Sequence, residues 1–445
     1  MSSAGQWRSR GGFLLAAIGF AVGLGNIWRF PYMTGENGGG LFVAVYLACA
    51  LVIGVPVVIA ELLIGRHGGG SPPLAFDRLA TDHGRSGRWR HVGHLNLLAA
   101  VLITFLYLVV TGWVLAYLAR SVGEGFAGFG ALAADAEFSA LLADPSRLVG
   151  WTWLALLLSM LVIRAGVQQG IERTVLVVMP LLFLLLLALV AYNAAEGGFG
   201  QAVDYLFQAD FSHLTGTTVL AAISQAFFSI GVAMAGMMTF GAYLPREIPL
   251  VSCALIIVLA DTLVAVVAGL VIFPMVFAQG LDAAGGPGLI FQTLPVAFAQ
   301  MPGGHVVSGA FFLLLSLAAI TSLVGLLEAQ TSWLIDSRGM QRNGAAAVVT
   351  AVNLAGSLVG ALSYNVFADV SIGTFNLSTL LDALPNQLLL PLGGMFIAVF
   401  AGWLLPAAVT REEVQGQRFH TIWRALIRVV APVAIVVTLV SGISL

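Results

Sequence analysis

Apolar residues in this chain gather in runs of about 20, the length that crosses the hydrocarbon core of a bilayer, with short polar stretches between them. The runs fall at 12–36, 40–65, 93–120, 149–164, 170–192, 218–243, 249–278, 305–335, 343–363, 380–406 and 425–444, and are numbered helices 1 to 11 in that order. Two of them are irregular in the same way. Helix 1 carries "GFAVGLGNIWRFPY" at 19–32; five helices later, helix 6 carries "FFSIGVAMAG" at 227–236. Lipid offers backbone amides and carbonyls no partners, so glycines, an Asn and an Arg at that depth are costly. Small residues also serve helix packing, and for helix 6 alone that reading is preferred. Both segments together, at matching positions, predict two interrupted helices within inverted repeats at about 12–192 and 218–406, plus a peripheral helix 11. The expected fold class is an all-α polytopic membrane protein of 11 transmembrane helices, one domain over 1–445.

Composition supports the membrane reading. The 445 residues are 59% hydrophobic and only 9% charged, against about 25% charged in soluble domains. A net charge of −2 without a basic run excludes a nucleic-acid partner. Cys49 and Cys253 lie in apolar runs and read as small hydrophobes. The basic residues, all arginine, mark alternate loops: Arg8 and Arg10, then Arg66, Arg78, Arg85, Arg88 and Arg90, then Arg246, Arg338 with Arg342, and Arg411 with Arg418. This bias places the N-terminus in the cytoplasm and, with an odd helix count, Leu445 outside. No small-residue cleavage site follows Arg10, so no signal peptide is expected. The arginine-free stretch 278–304, broken by "GGPG", Pro295 and Pro302, is expected to fold back into the outer face. The histidines lie mostly in loops, such as His67, His83, His91 and His94, and no metal-ligand cluster or nucleophile–base pair stands within the helices. An enzyme is not expected.

At the motifs "AVGLGNIWRFPY", "ENGGGLF" (36–42), "AELLIGR" (60–66), "GIER" (170–173), "QAFFS" (225–229), "DTLVAVVAGLVIFP" (261–274), "ITS" (320–322) and "LLPLGG" (389–394), the chain resembles the neurotransmitter:sodium symporter family. The likeness is to its bacterial amino-acid branch, which includes the leucine transporter, and it implies the inner membrane of a bacterium as the location. Broken helices suit such chemistry, because bare carbonyls coordinate a cation while free amides and half-helix N-termini receive a carboxylate. The resemblance implies sodium-coupled uptake of a neutral L-amino acid by alternating access, with a sodium-dependent sensor or receptor on the same scaffold as the alternative. Proton coupling is a mechanistic rival. Members commonly have twelve helices, and this chain has runs for eleven.

By resemblance, the substrate site comprises Ala21, Gly23, Leu24, Gly25, Ile103, Tyr107, Phe228, Ser229, Gly231, Met234, Ser322, Gly325 and Leu326. Gly25 and the Tyr107 hydroxyl would take the carboxylate. Monoamine-carrying relatives have Asp where this chain has Gly23, so the substrate must supply its own carboxylate. Gly231 and Gly325 remove bulk from the floor relative to the leucine transporter, Met234 replaces an aromatic ring and Ile103 takes some room back. A larger hydrophobic or aromatic side chain is expected.

Two sodium sites follow from the same resemblance. The first takes Ala21, Asn26, Ser229 and a helix 7 residue, either Asp261 or Ala260 depending on alignment. Asp261 is preferred, as a fixed negative charge that removes any need for chloride; a protonated Asp bonded to backbone is the alternative. The second takes Gly19, Val22, Ala318, Thr321 and Ser322, although Thr321 and Ser322 could instead bond their own helix. Gly170 and Pro180 match relatives in which helix 5 unwinds toward this ion. Arg29 is expected to pair with Asp382 at the outer gate. At the inner gate Trp7 and Asp336 match, but Ala4 replaces the usual Arg, leaving Arg8 or Arg10 as a substitute or a more populated inward-open state. Glu61 matches a buried acid that bonds the unwound part of helix 6. Oligomeric state is left open.

Overall fold

The computed structural model describes residues 6–373, 375–414 and 416–443. Among these, one short antiparallel pair, Ser371–Ile372 with Phe375–Asn376, interrupts an otherwise helical chain. Among the described residues, nine helices are long and apolar enough to cross a membrane: Gly40–Gly68, Gly87–Val122, Pro145–Arg164, Val167–Glu196, Leu250–Ala278, Gly304–Arg338, Arg342–Leu362, Leu377–Leu404 and Gln417–Val440. These are helices 2 to 5 and 7 to 11. Helix 1 makes ten, as Arg10–Ala21 and Gly25–Glu36 meeting at 47°. The expected count of eleven is not reached by length, because helix 6 is split into Gly216–Ile230 and Gly236–Ala242, 15 and 7 residues.

Local chemistry explains where the broken helices start and stop. Ser9 Oγ accepts from Gly12 N at 2.9 Å and caps helix 1. Pro31 stands in the first turn after the π-type turn Gly25–Arg29, where its missing N–H is tolerated. Helix 6 is capped by Thr215, whose Oγ1 accepts from Thr218 N at 3.2 Å. It ends at Gly231, with φ +72°. Ala233 and Ala235 follow at +62° and +63°, the only described non-glycine residues in the left-handed region, at about 1–2 kcal/mol each.

Helices 3 and 8 run along each other through the centre, with the first half of helix 1 against helices 5 and 8 and the second half of helix 6 on helix 2. The two breaks pack directly against one another, Gly25 against the Ser229 backbone and Phe20 against Gly231, with helices 3 and 8 alongside. Stretch 278–304 does fold back onto the protein. Phe291 is fully buried and stacks on Phe138 at 5.3 Å between centroids, its carbonyl accepting from the Tyr117 hydroxyl at 2.9 Å.

Candidate functional site

At the helix 1 break, side chains take over the work of the lost helical ladder. Leu24 N–H donates to the Tyr107 hydroxyl at 3.0 Å, and Gly23 N–H to Asn26 Oδ1 at 3.1 Å. A Cβ at Gly23 would run into Ser322 Oγ and that same hydroxyl, so a side chain is excluded there. At the helix 6 break, Ala233 N–H donates to Glu61 Oε1 at 2.6 Å, and Glu61 is completely buried. Hydrogen bonds to a carboxylate are among the stronger kind, which helps hold Ala233 in its strained conformation.

Between the breaks lies a cavity of about 320 Å³. It is lined by eleven of the thirteen expected substrate residues: Ala21, Gly23, Gly25, Ile103, Tyr107, Phe228, Ser229, Gly231, Met234, Ser322 and Leu326. Leu24 instead faces an adjoining space shared with Trp28 and Asp382. Gly325 lies behind Phe20, a lining residue that motif spacing does not reveal. The Phe20 ring occupies the places where Cβ atoms of Gly231, Gly236 and Gly325 would stand. The expectation that Gly231 and Gly325 deepen the pocket floor is thus corrected, since a phenyl ring fills the volume they vacate.

Asn26, Ser229 and Asp261 converge beside the cavity. Asn26 Nδ2 donates to Asp261 Oδ1 at 2.7 Å and to its carbonyl at 2.8 Å; Ser229 Oγ donates to Asp261 Oδ2 at 3.0 Å. Asp261 is completely buried, while Ala260 is only half-buried. The carboxylate has only neutral donors around it, including the Tyr46 hydroxyl bonded to Ser229 at 3.2 Å. An isolated buried anion is expensive, and a small hard cation among these oxygens would relieve that cost. A few residues away, Ser322 Oγ stands 3.4 Å from the carbonyls of both Gly19 and Val22, and Thr321 Oγ1 donates to Ala318 O at 2.9 Å. Five oxygens from helices 1 and 8 therefore gather there. Thr321 also donates to Leu317 O at 3.0 Å, so it bonds its own helix as well.

The outer gate differs from expectation. Arg29 and Asp382 do not form an ion pair. Arg29 donates to Ser224 Oγ at 3.2 Å and lies 4.6 Å from the centre of the Phe228 ring, where a cation–π attraction holds it. Asp382 accepts from Asn386 Nδ2 at 2.8 Å, one turn along its own helix. One guanidinium nitrogen of Arg29 is buried without a partner, which leaves a donor ready for the carboxylate.

Inside, Trp7 is buried, donating from Nε1 to Phe240 O at 3.0 Å and from its backbone to Tyr243 O at 3.2 Å. Asp336 accepts from Ser71 N at 2.6 Å. Neither Arg8 nor Arg10 takes the missing arginine's place at Asp336. Arg8 reaches Gln168 Oε1 at 3.2 Å and Arg10 reaches Ser252 Oγ at 2.9 Å, because the chain leaves helix 1 toward helices 5 and 7. Ala4 lies outside the described residues. Helix 5 is wound through Gly170 and Pro180 here, with a π-type turn at Val167–Glu172. Its first turn is held by Glu172, which accepts from Arg8 N at 3.1 Å and Ser9 Oγ at 3.3 Å.

Sequence reasoning missed two charged clusters near the same face as Trp7. Glu328 accepts from Arg342 Nη2 at 2.5 Å and from the Tyr243 hydroxyl at 3.0 Å; Arg66 pairs with Glu413, which His67 also contacts at 2.7 Å. Each joins residues from different helices, and no spacing in the chain announces it.

Comparison with known proteins agrees with this geometry. The model of the sodium:neurotransmitter symporter family matches residues 4–127 and 142–445. The sodium-dependent transporter YhdH of Bacillus subtilis is 31% identical, covering 99% of this chain and 98% of its own length. The sodium-dependent dopamine transporter of Bos taurus is 26% identical over 98% of this chain and 69% of its own. Among solved structures, MhsT in complex with L-phenylalanine is 37% identical with a TM-score of 0.91, covering 99% of this chain and all of its own.

Proposed function

The chain belongs to the sodium:neurotransmitter symporter family and is a sodium-dependent membrane transporter rather than an enzyme, and we propose that it couples inward sodium flux to uptake of a neutral, hydrophobic or aromatic L-amino acid by alternating access. The observation that carries this reading is the cavity between two helix breaks, with the Tyr107 hydroxyl against the Leu24 amide and a side-chain-free Gly23 at its wall. An amino acid fits that arrangement. Its carboxylate meets the exposed amides and the Tyr107 hydroxyl, and its apolar side chain meets Ile103, Met234, Phe20 and Leu326. The absence of an acid at Gly23 favours a substrate with its own carboxylate, and L-phenylalanine in the related MhsT supports an aromatic one.

Two sodium ions are co-substrates in this reading, one at Ala21, Asn26, Ser229 and Asp261, the other at Gly19, Val22, Ala318, Thr321 and Ser322. Asp261 supplies the fixed charge, so chloride is not required. Each unit charge moving inward gains about 2.3 kcal/mol per 100 mV, which drives accumulation. Helix 6 counts as one broken span, giving eleven, with inverted repeats over 12–192 and 218–406, the N-terminus in the cytoplasm and the inner membrane of a bacterium as the location. Arg29 and Asp382 close the outer path, Trp7 and Asp336 the inner one, and helix 5 opens between Gly170 and Pro180 to release the second ion. Proteoliposomes loaded with potassium and diluted into sodium test the proposal. Concentrative L-phenylalanine uptake is expected. Sodium-dependent binding without uptake or counterflow would mark a receptor instead.

A further inference from the structure

A second concavity shares no lining residue with the cavity between the helix breaks. A groove of about 720 Å³ runs between helices 3, 8 and 9, walled by Leu97, Leu98, Val101, Leu334, Val348 and Val352. Leu98, Val348 and Val352 are 48%, 40% and 46% exposed on membrane-spanning helices, so the groove opens toward lipid. One end is polar. There His94 stands edge-on to Trp333, 6.2 Å between ring centres, with His91 at 5.9 Å from His94. Arg90 precedes His94 by one helical turn and therefore shares its face. Arg90, His91 and His94 are all exposed. The whole stretch 82–94, "DHGRSGRWRHVGH", carries three arginines and three histidines against a single acid. The acids at the inner end of helix 8 are engaged: Asp336 by the Ser71 amide, Glu328 by Arg342 and Tyr243.

We propose that this groove binds one anionic phospholipid, with its phosphate at Arg90 and His94 and one acyl chain lying along Leu97, Val101 and Val352. Charge complementarity selects this occupant. A slot that is apolar along its length and cationic at the membrane boundary matches a lipid with a negative headgroup, and basic pockets between helices at that depth are suited to such headgroups. Trp333 is placed as an interfacial aromatic beside the glycerol region. The inference needs only that the chain sits in a membrane and does not depend on which amino acid is carried.

The test is native mass spectrometry of the full-length protein after exchange into mixed phosphatidylglycerol and phosphatidylcholine. Retention of one phosphatidylglycerol per chain is expected. Arg90→Gln with His94→Gln should reduce it at least about fivefold, the loss of one interfacial charge. Val352→Trp, which fills the groove and keeps the charges, should reduce it as well. The exposed Arg90 and His94 substitutions leave the core untouched, so they remain informative if the tryptophan variant misfolds. Equal retention of phosphatidylcholine, or unchanged retention in the Arg90/His94 variant, overturns the proposal, and so does disulfide capture between Val348→Cys copies of two chains in phosphatidylglycerol membranes. Sodium-dependent uptake by the wild-type protein is a separate reading and stands or falls independently.

Discussion

Asn26 and Asp261, 235 residues apart in the chain, meet in the protein interior with Nδ2 of one 2.7 Å from Oδ1 of the other. The amide comes from the broken half-turn of helix 1 and the carboxylate from the middle of helix 7. Together they join the interrupted helix to an uninterrupted one at the point where an ion is proposed to enter.

Asp261→Asn removes the fixed charge while keeping the shape. The apparent sodium affinity for uptake should fall at least about tenfold, equivalent to about 1.4 kcal/mol, and chloride should restore part of it. Wild-type uptake should be equal in chloride and gluconate. A wild-type protein that stops in gluconate would show that Asp261 does not serve as the anion.

Glu61→Ala should leave the Ala233 amide buried and unpaired in a left-handed conformation. The expected cost is about 1–3 kcal/mol, read as a lower unfolding midpoint in detergent, with Glu61→Gln losing less because an acceptor oxygen remains. Equal midpoints for Glu61→Ala and wild type would mean that helix 6 holds its break without help.

Phe20 and Gly325 form the third test. Gly325→Ala places a methyl into the Phe20 ring, so substrate affinity should fall. Phe20→Leu should relieve the clash and recover most of it in the double variant. The coupling between the two substitutions should be about 0.5–3 kcal/mol, as for residues in direct contact. Additive losses in binding measurements would mean that the ring moves aside at no cost.

Helix 1 was the most legible part of the site, since glycines flanking Leu24 and an adjacent Asn only make sense in lipid if the backbone opens. The helix 6 break was visible at Gly231 but not at Ala233 or Ala235, because alanine gives no hint of a positive φ. Phe20 went unseen for a related reason. Glycines signal missing side chains, and what fills the gap comes from another helix. The Arg29–Asp382 expectation comes with the family resemblance and not from any spacing in the chain. Phe228 and Ser224 compete for the guanidinium, and that competition is set by packing that spacing does not encode.

Arg29 and Asp382 should pair only when the outer path closes. Arg29→Gln and Asp382→Asn should each slow initial uptake, and the double variant should be no slower than the worse single one, because both remove the same interaction. Fully multiplicative losses in uptake rate would separate the two residues' roles.

Equilibrium binding of radiolabelled L-phenylalanine to purified protein, in sodium and in potassium at one fixed pH, reaches the centre of the account. Ions and amino acid held side by side at two opened helices must strengthen each other reciprocally. Saturable binding in sodium that disappears in potassium, with sodium affinity rising as the amino acid is added, is the predicted result. Binding that is indifferent to sodium would contradict it.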